Sequence, residues 1–310
     1  MIDAVTGAFS YSGAVIAAEL QRRGRSVRTL TNHPPGDRAL TPEQRAVEIR
    51  PLQLTDPGGL RRSLAGVDTL YNTYWARFPH GAVTFDTGVA GSTALFEAAA
   101  DVGVRRIVHV SITGADVASP FPYFRGKGLV EDALRGCGIP YAVVRPAILF
   151  GGDGVLINNI AWLMRRSPVT LYGGDGGYRV RGIHVRDLAT LMVDLAEGEA
   201  QVTVDAVGPQ SVGFRELLEH IRRAVGCRTV LLPVPGAVFP VVTGLLGRML
   251  RDTVLTRDEY RALAAGLADS TAPTTGSVRL TDWITAHAAD LGTRYAHELD
   301  RHYRPVPAHG

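Results

Sequence analysis

Of the 33 Lys and Arg residues in this 310-residue chain, 32 are Arg and one is Lys, at position 127. A sequence that otherwise fills its cationic positions with Arg keeps a Lys where a guanidinium will not serve. An ammonium is a compact point charge whose pKa shifts on burial, whereas Arg stays charged and planar. Tyr123 precedes Lys127 by four residues on a segment predicted to be helical over about 123–134, which puts both side chains on one face. A cation beside a phenol favours the phenolate, and a phenol tuned in this way suits proton donation to a developing alkoxide. Tyr occupies 10 of 310 positions, so chance seldom places one there. We read Tyr123 as the acid/base and Lys127 as its tuner. Ser111 and Thr113 end a strand predicted over 106–111 and project to one side of it, so either hydroxyl could hold a substrate carbonyl.

These residues need a scaffold, and the first half of the chain supplies alternating strands and helices. Strands are expected at 2–6, 26–31, 46–50, 67–72, 106–111 and 141–145, with helices at 14–23, 83–102 and 123–134 between them. Helical crossovers of this length imply a parallel sheet. The turn Thr6-Gly7-Ala8-Phe9-Ser10-Tyr11-Ser12-Gly13 joins the first strand to the first helix. Gly7 would allow the tight bend, Gly13 the close helix–sheet packing, and the N–H groups between them would face a pyrophosphate. Ser10 stands where nucleotide-binding turns usually carry Gly, and its hydroxyl can donate to phosphate. The expected fold is α/β: a doubly wound, Rossmann-type sheet with a smaller, mostly helical C-terminal substrate lobe. Residues 1–150 with about 183–208 would form the nucleotide-binding domain, and 151–182 with 209–310 the substrate lobe. Late helices are expected at 187–195, 214–225, 257–267, 281–289 and 295–303, with a strand at 202–207.

Composition narrows the classes. Hydrophobic residues make up 45% and charged ones 20%, which excludes a disordered chain. A net charge of +3, spread along the chain, gives no support to a nucleic-acid partner. Cys137 and Cys227 are far apart and the histidines form no ligand-like cluster, so no metal is expected. Thr229–Gly247 is uncharged, but Pro233, Pro235 and Pro240 make it a poor membrane span. It reads as a buried or substrate-facing segment of a cytoplasmic protein, with a homodimer contact or membrane association as the alternatives.

With these motifs in order, the chain resembles the extended and atypical (NmrA-like) branch of the short-chain dehydrogenase/reductase superfamily. The likeness rests on the glycine turn, Leu52-Gln53-Leu54-Thr55-Asp56, Gly66–Tyr71, Ile107–Ser111, Tyr123–Lys127, Val144-Arg145-Pro146 and Ile183–Ala189. It implies NAD(P) held by Gly7, Phe9, Ser10, Tyr11, Gly13, Asn32, Gln53, Leu54, Asn72, Lys127 and Pro146. It also implies that Lys127 holds the nicotinamide ribose, and that His184 either touches substrate or is structural. Asp187 is expected to cap a helix, and Asn158 and Asn159 to serve loops or caps. Two departures stand out. Gln53 replaces the usual Asp at the adenine, and bulky Asn72-Thr73-Tyr74-Trp75 replaces small residues after the fourth strand. Either that loop is displaced, or Tyr74 and Trp75 wall a substrate pocket or join the core.

The second strand ends in Leu30-Thr31-Asn32-His33, with no acid before Asp37 and with Arg38 beyond it. An NAD site usually places a carboxylate there, so NADP is the expected preference over NAD. The leading expectation is an oxidoreductase acting on the carbonyl or secondary alcohol of a small, fairly apolar metabolite. A non-catalytic NAD(P)H-binding sensor or assembly protein, or an epimerase, dehydratase or lyase using bound cofactor, are the alternatives.

Overall fold

Strand β1 (Ile2–Thr6) is buried on both faces beyond its first residue, as a central strand of a parallel sheet must be. A computed structural model of the protein describes residues 1–36, 40–79 and 81–297. Within these, the chain divides into two compact units, one of residues 1–146 and 188–206, the other of residues 147–187 and 207–297.

In the first unit β1 is followed by α1 (Tyr11–Arg22), β2 (Ser26–Leu30), α2 (Pro42–Arg45), β3 (Glu48–Arg50) and α3 (Pro57–Leu64). Then come β4 (Val67–Asn72), α4 (Phe85–Asp101), β5 (Arg106–Val110), α5 (Pro122–Gly136) and β6 (Tyr141–Pro146). The next elements are β7 (Ile148–Phe150), α6 (Val155–Arg166), β8 (Val169–Gly173), β9 (Arg179–Val180) and β10 (Gly182–His184). Helix α7 (Val185–Glu197) leads back to β11 (Val202–Ala206), which completes the first unit's sheet. The remainder is β12 (Val212–Gly213), α8 (Phe214–Ala224), β13 (Val230–Val234), α9 (Phe239–Leu250), α10 (Arg257–Ala264) and α11 (Leu280–Ala286).

The first unit's seven strands are all parallel, in the order β11-β6-β5-β4-β1-β2-β3. The chain reverses direction across the sheet between β1 and β4, the switch point outside which doubly wound folds bind ligands. On the face covered by α3, α4 and α5, Leu60, Leu70, Leu95, Phe96, Ile107, Val130, Leu134 and Val143 form one core, all essentially without solvent exposure. This is the Rossmann-type α/β architecture expected from the alternation of elements.

The second unit holds three two-stranded sheets, β7 with β10, β8 with β13, and β9 with β12. Phe150, Ile157, Met164, Leu217, Ile221 and Ile284 lie at its core. Helix α6 escapes the sequence reading because the Gly151–Gly154 run ahead of it reads as loop. Its buried Ile157, Ala161 and Met164 nonetheless keep helical spacing. Asp187 is corrected: it does not cap α7 but lies inside it. Its carboxylate accepts from the N–H groups of Ser277 (2.7 Å) and Val278 (3.0 Å). Of the helix expected at 295–303, residues 295–297 are not helical and the remainder lie outside the described residues, as do Asp37 and Arg38.

Candidate functional site

At the carboxyl end of β1, Gly7 adopts φ +70°, a left-handed conformation that only Gly takes without strain. Its N–H donates to Leu30 O at 3.0 Å, and the N–H of Ser10 folds back to Gly7 O at 2.8 Å. Gly13 sits so close that a Cβ there would overlap the Gly7 carbonyl, which makes Gly the residue for this cradle. Ser10 is the N-cap of α1, yet its side chain makes no cap bond. Its exposed hydroxyl therefore stands beside a helix N-terminus whose first N–H groups have no intrahelical acceptor. A positive dipole end and a tight glycine cradle fit a pyrophosphate.

The neighbouring strand ends are tied together. Thr6 donates to Asn72 Oδ1 (3.1 Å) and accepts from the N–H groups of Thr73 (2.7 Å) and Tyr74 (3.0 Å). The bulky loop after β4 is thus drawn in at its start. Asn72 is fully buried; Tyr74 N–H donates to its Oδ1 (3.0 Å), and its Nδ2 donates to His109 Nδ1 at 3.1 Å. Burial holds His109 well below its ordinary pKa, with Lys127 adding to the effect, so the ring is neutral. On the β2 side, the Asn32 amide bridges to the backbone of Leu52, donating at 2.7 Å and accepting at 3.2 Å. Gln53 is exposed, and Leu54 is half-buried against the core with Tyr74. Pro146 is buried at the end of β6 and accepts from Thr113 N–H at 3.1 Å.

Trp75 organises the rest. Its indole lies between α4 and α5, where a Cβ on Gly88 would come within 3.2 Å of it and a Cβ on Gly126 within 2.8 Å. What packs closely on Gly126, beside Lys127, is this indole. At Gly128 it is backbone, since Asp116-Val117 would meet a Cβ at 2.5 Å. Trp75 stacks on Phe85 (centroids 5.9 Å apart, 8° between planes) and meets the Tyr123 ring edge-on at 5.9 Å. The Lys127 ammonium lies 4.8 Å from the indole centroid and donates to Val110 O at 2.9 Å. Tyr123 and Lys127 thus pack against one ring.

Burial lowers the Lys127 pKa from 10.5 to about 7, with the Glu131 carboxylate partly opposing the shift. His109, Tyr123 and Glu131 are the titratable groups around it. The linkage has a definite sign. Between pH 7 and 10.5 the unfolded chain holds a proton that the folded chain has released, so Lys127 makes stability rise with pH across that window. Below pH 7 the cost of the buried charge is present in full. Urea denaturation of the apo-protein should show a rise on the order of 5 kcal/mol attributable to this residue. Lys127→Met should lack that rise, and identical pH profiles for the two proteins would refute the assignment.

Ser111 and Thr113 are both buried at the end of β5. Ser111 donates its hydroxyl proton to Glu131 Oε1 at 2.5 Å. Glu131 is fully buried and receives Arg145 through two bonds (2.5 and 2.8 Å) and Arg135 through one (2.7 Å). The sequence reading missed Glu131, although the signal was present: Tyr123, Lys127, Glu131 and Arg135 recur every four residues on one helix face.

In the second unit His184 is buried and its Nδ1 accepts from Arg186 N–H at 3.3 Å. Its ring meets Phe150 edge-on, and a Cβ on Gly151 would overlap it. Burial lowers its pKa. Asn158 and Asn159 bond the backbone at Arg294 and Ala296.

A family model described as NAD(P)H-binding matches residues 7–197, from the glycine cradle through α7. The chain belongs to that family. The 40 kDa subunit of mitochondrial NADH-ubiquinone oxidoreductase from Neurospora crassa is 25% identical over 260 residues, covering 82% of this chain and 68% of the subunit. Among solved structures, Citrobacter sp. triphenylmethane reductase complexed with NADP(H) superposes with a TM-score of 0.71 at 21% identity, covering 93% of this chain and all of that one. The Escherichia coli NADPH-dependent quinone oxidoreductase complexed with NADPH gives 0.74 at 17%, covering 92% and 99%. At these identities the superpositions establish the fold, and the family match establishes NAD(P)H binding.

Proposed function

We propose that this family member is an NADP(H)-preferring oxidoreductase that interconverts a carbonyl and a secondary alcohol on a small, fairly apolar metabolite. The observation that carries this reading is the packing of Tyr123 and Lys127 against one indole, one strand away from the β1–β4 switch point. When bound, the nicotinamide supplies a hydride. The chain's own part is to hold pyrophosphate on the Gly7–Gly13 turn and to bring a proton from the Tyr123 hydroxyl to the substrate oxygen. Lys127 steadies the phenolate that remains. Ser111, whose proton goes to Glu131, offers lone pairs to an alcohol, and Thr113 is the neighbouring hydroxyl.

The preference for NADP(H) rests on the end of β2. Asn32 offers no charge there and its amide is engaged by Leu52, so nothing at that position repels a 2′-phosphate. Fluorescence titration should give a lower Kd for NADPH than for NADH. NADH bound tenfold more tightly would reverse the assignment.

A second reading is a non-catalytic NAD(P)H-binding module. It is favoured by the burial of Lys127 under Trp75 with Val110 O as its acceptor, an arrangement that withdraws the ammonium from a ligand. Protein that retains reduced nicotinamide but consumes none with a panel of ketones, aldehydes and quinones would support the module over the enzyme.

A further inference from the structure

The segment Thr229–Gly247, which the proposed chemistry does not use, folds as β13 and α9 in the second unit. Along α9, Val238, Val241, Leu245 and Met249 are 46 to 82% exposed. At 100° per residue these four fall within about 80° of arc, while the buried Phe239, Thr243 and Gly247 lie on the opposite side. The apolar stripe is therefore continuous and faces away from the unit's own core. On β13, Val230 and Leu232 are likewise exposed and, two residues apart, share one face of an edge strand.

The charge along this stretch of the chain has one sign. No Asp or Glu occurs from His220 to Arg251, whereas Arg222, Arg223, Arg228, Arg248 and Arg251 do. None of the five forms an ion pair with a carboxylate among the described residues. Arg248 borders the stripe directly, and Arg251 follows the helix in a left-handed cap at φ 53°. An apolar stripe bordered by Arg248, with Arg251 at the helix end and no carboxylate paired to either among the described residues, is the pattern of a helix that lies in the interface of an anionic bilayer, its apolar face among the acyl chains and its cations at the headgroups. A second copy of the chain fits less well. A two-fold contact sets a patch against itself, which would bring arginines to arginines with no carboxylate from this stretch to pair them. Among the described residues no helix is long and apolar enough to cross a membrane, so the attachment is to one leaflet.

We infer that α9 and β13 form a docking surface for the headgroup region of an anionic lipid bilayer. The test is flotation of the full chain with vesicles of phosphatidylcholine alone and with vesicles of phosphatidylcholine mixed with phosphatidylglycerol. Each arginine near an anionic surface adds about fivefold in affinity, so binding to the mixed vesicles should exceed binding to the neutral ones by at least about tenfold and weaken as salt is raised. The triple variant Val241→Ser, Leu245→Ser, Met249→Ser should lose at least about tenfold while melting as the wild type does, because all three side chains are exposed. Arg228→Gln with Arg248→Gln should abolish the preference for anionic vesicles. Absence of flotation, or flotation undiminished in both variants, would overturn the inference. So would a triple variant that turns a dimer into a monomer when the wild type binds no vesicles, because the stripe would then be an interface between copies.

Discussion

Glu131→Ala should destabilise the protein by about 3–5 kcal/mol in urea denaturation at neutral pH, the range seen when one partner of a buried ion pair is removed. Glu131 has no solvent exposure and gathers four bonds, from Ser111, from Arg145 twice and from Arg135. Truncation leaves the Arg145 guanidinium, three-quarters buried, without its carboxylate and the buried Ser111 hydroxyl without that acceptor. Glu131→Gln keeps the shape and an acceptor oxygen but not the charge, so its loss should be about half as large. The carboxylate also partly holds up the pKa of Lys127, one helical turn away, so either substitution should push that ammonium lower still. A loss below about 1 kcal/mol for Glu131→Ala would show that the network is marginal.

The same residue marks where reading the sequence stops. The sheet was legible because its signals are local: an apolar run, a turn, a helix-length gap, repeated. The Gly7–Gly13 cradle was legible for a similar reason, since a positive φ and a close approach both demand Gly. Tyr123 and Lys127 stood out by spacing and by the rarity of Lys. Glu131 shares their face and spacing, but an acid on a helix also looks like a solvated one. Only the packing of β5 and β6 against α5 tells the two apart, by setting Ser111 and Arg145 opposite it. Trp75 is a similar case. The sequence left it between a displaced loop, a pocket wall and the core, because the outcome depends on whether two neighbouring helices both offer a glycine. They do, at Gly88 and Gly126, and the indole fills the slot. The short strands and α6 of the second unit were hidden by glycine-rich flanks that read as loop. The stripe on α9 was hidden because an apolar segment looks alike whether buried or bare.

Tyr123→Phe should lower turnover by roughly two to four orders of magnitude on whichever carbonyl substrate a panel reveals, with the Kd for NADPH changed by no more than about twofold. The substitution keeps the ring that meets Trp75, Phe85 and Phe124 edge-on, so the aromatic packing survives. In the proposed chemistry, Lys127 acts on the other side of the proton transfer. With its pKa held near 7, the buried ammonium is ready to give up its charge while Tyr123 is neutral. In that chemistry a phenolate left on the same helix face would make the protonated amine favourable again. Lys127→Arg should lose turnover as well, because a planar guanidinium that never deprotonates cannot follow this exchange and needs more room than the niche under the indole provides. A Tyr123→Phe protein with full turnover would remove Tyr123 from the chemistry. Loss of NADPH affinity in step with turnover would instead make it a binding residue.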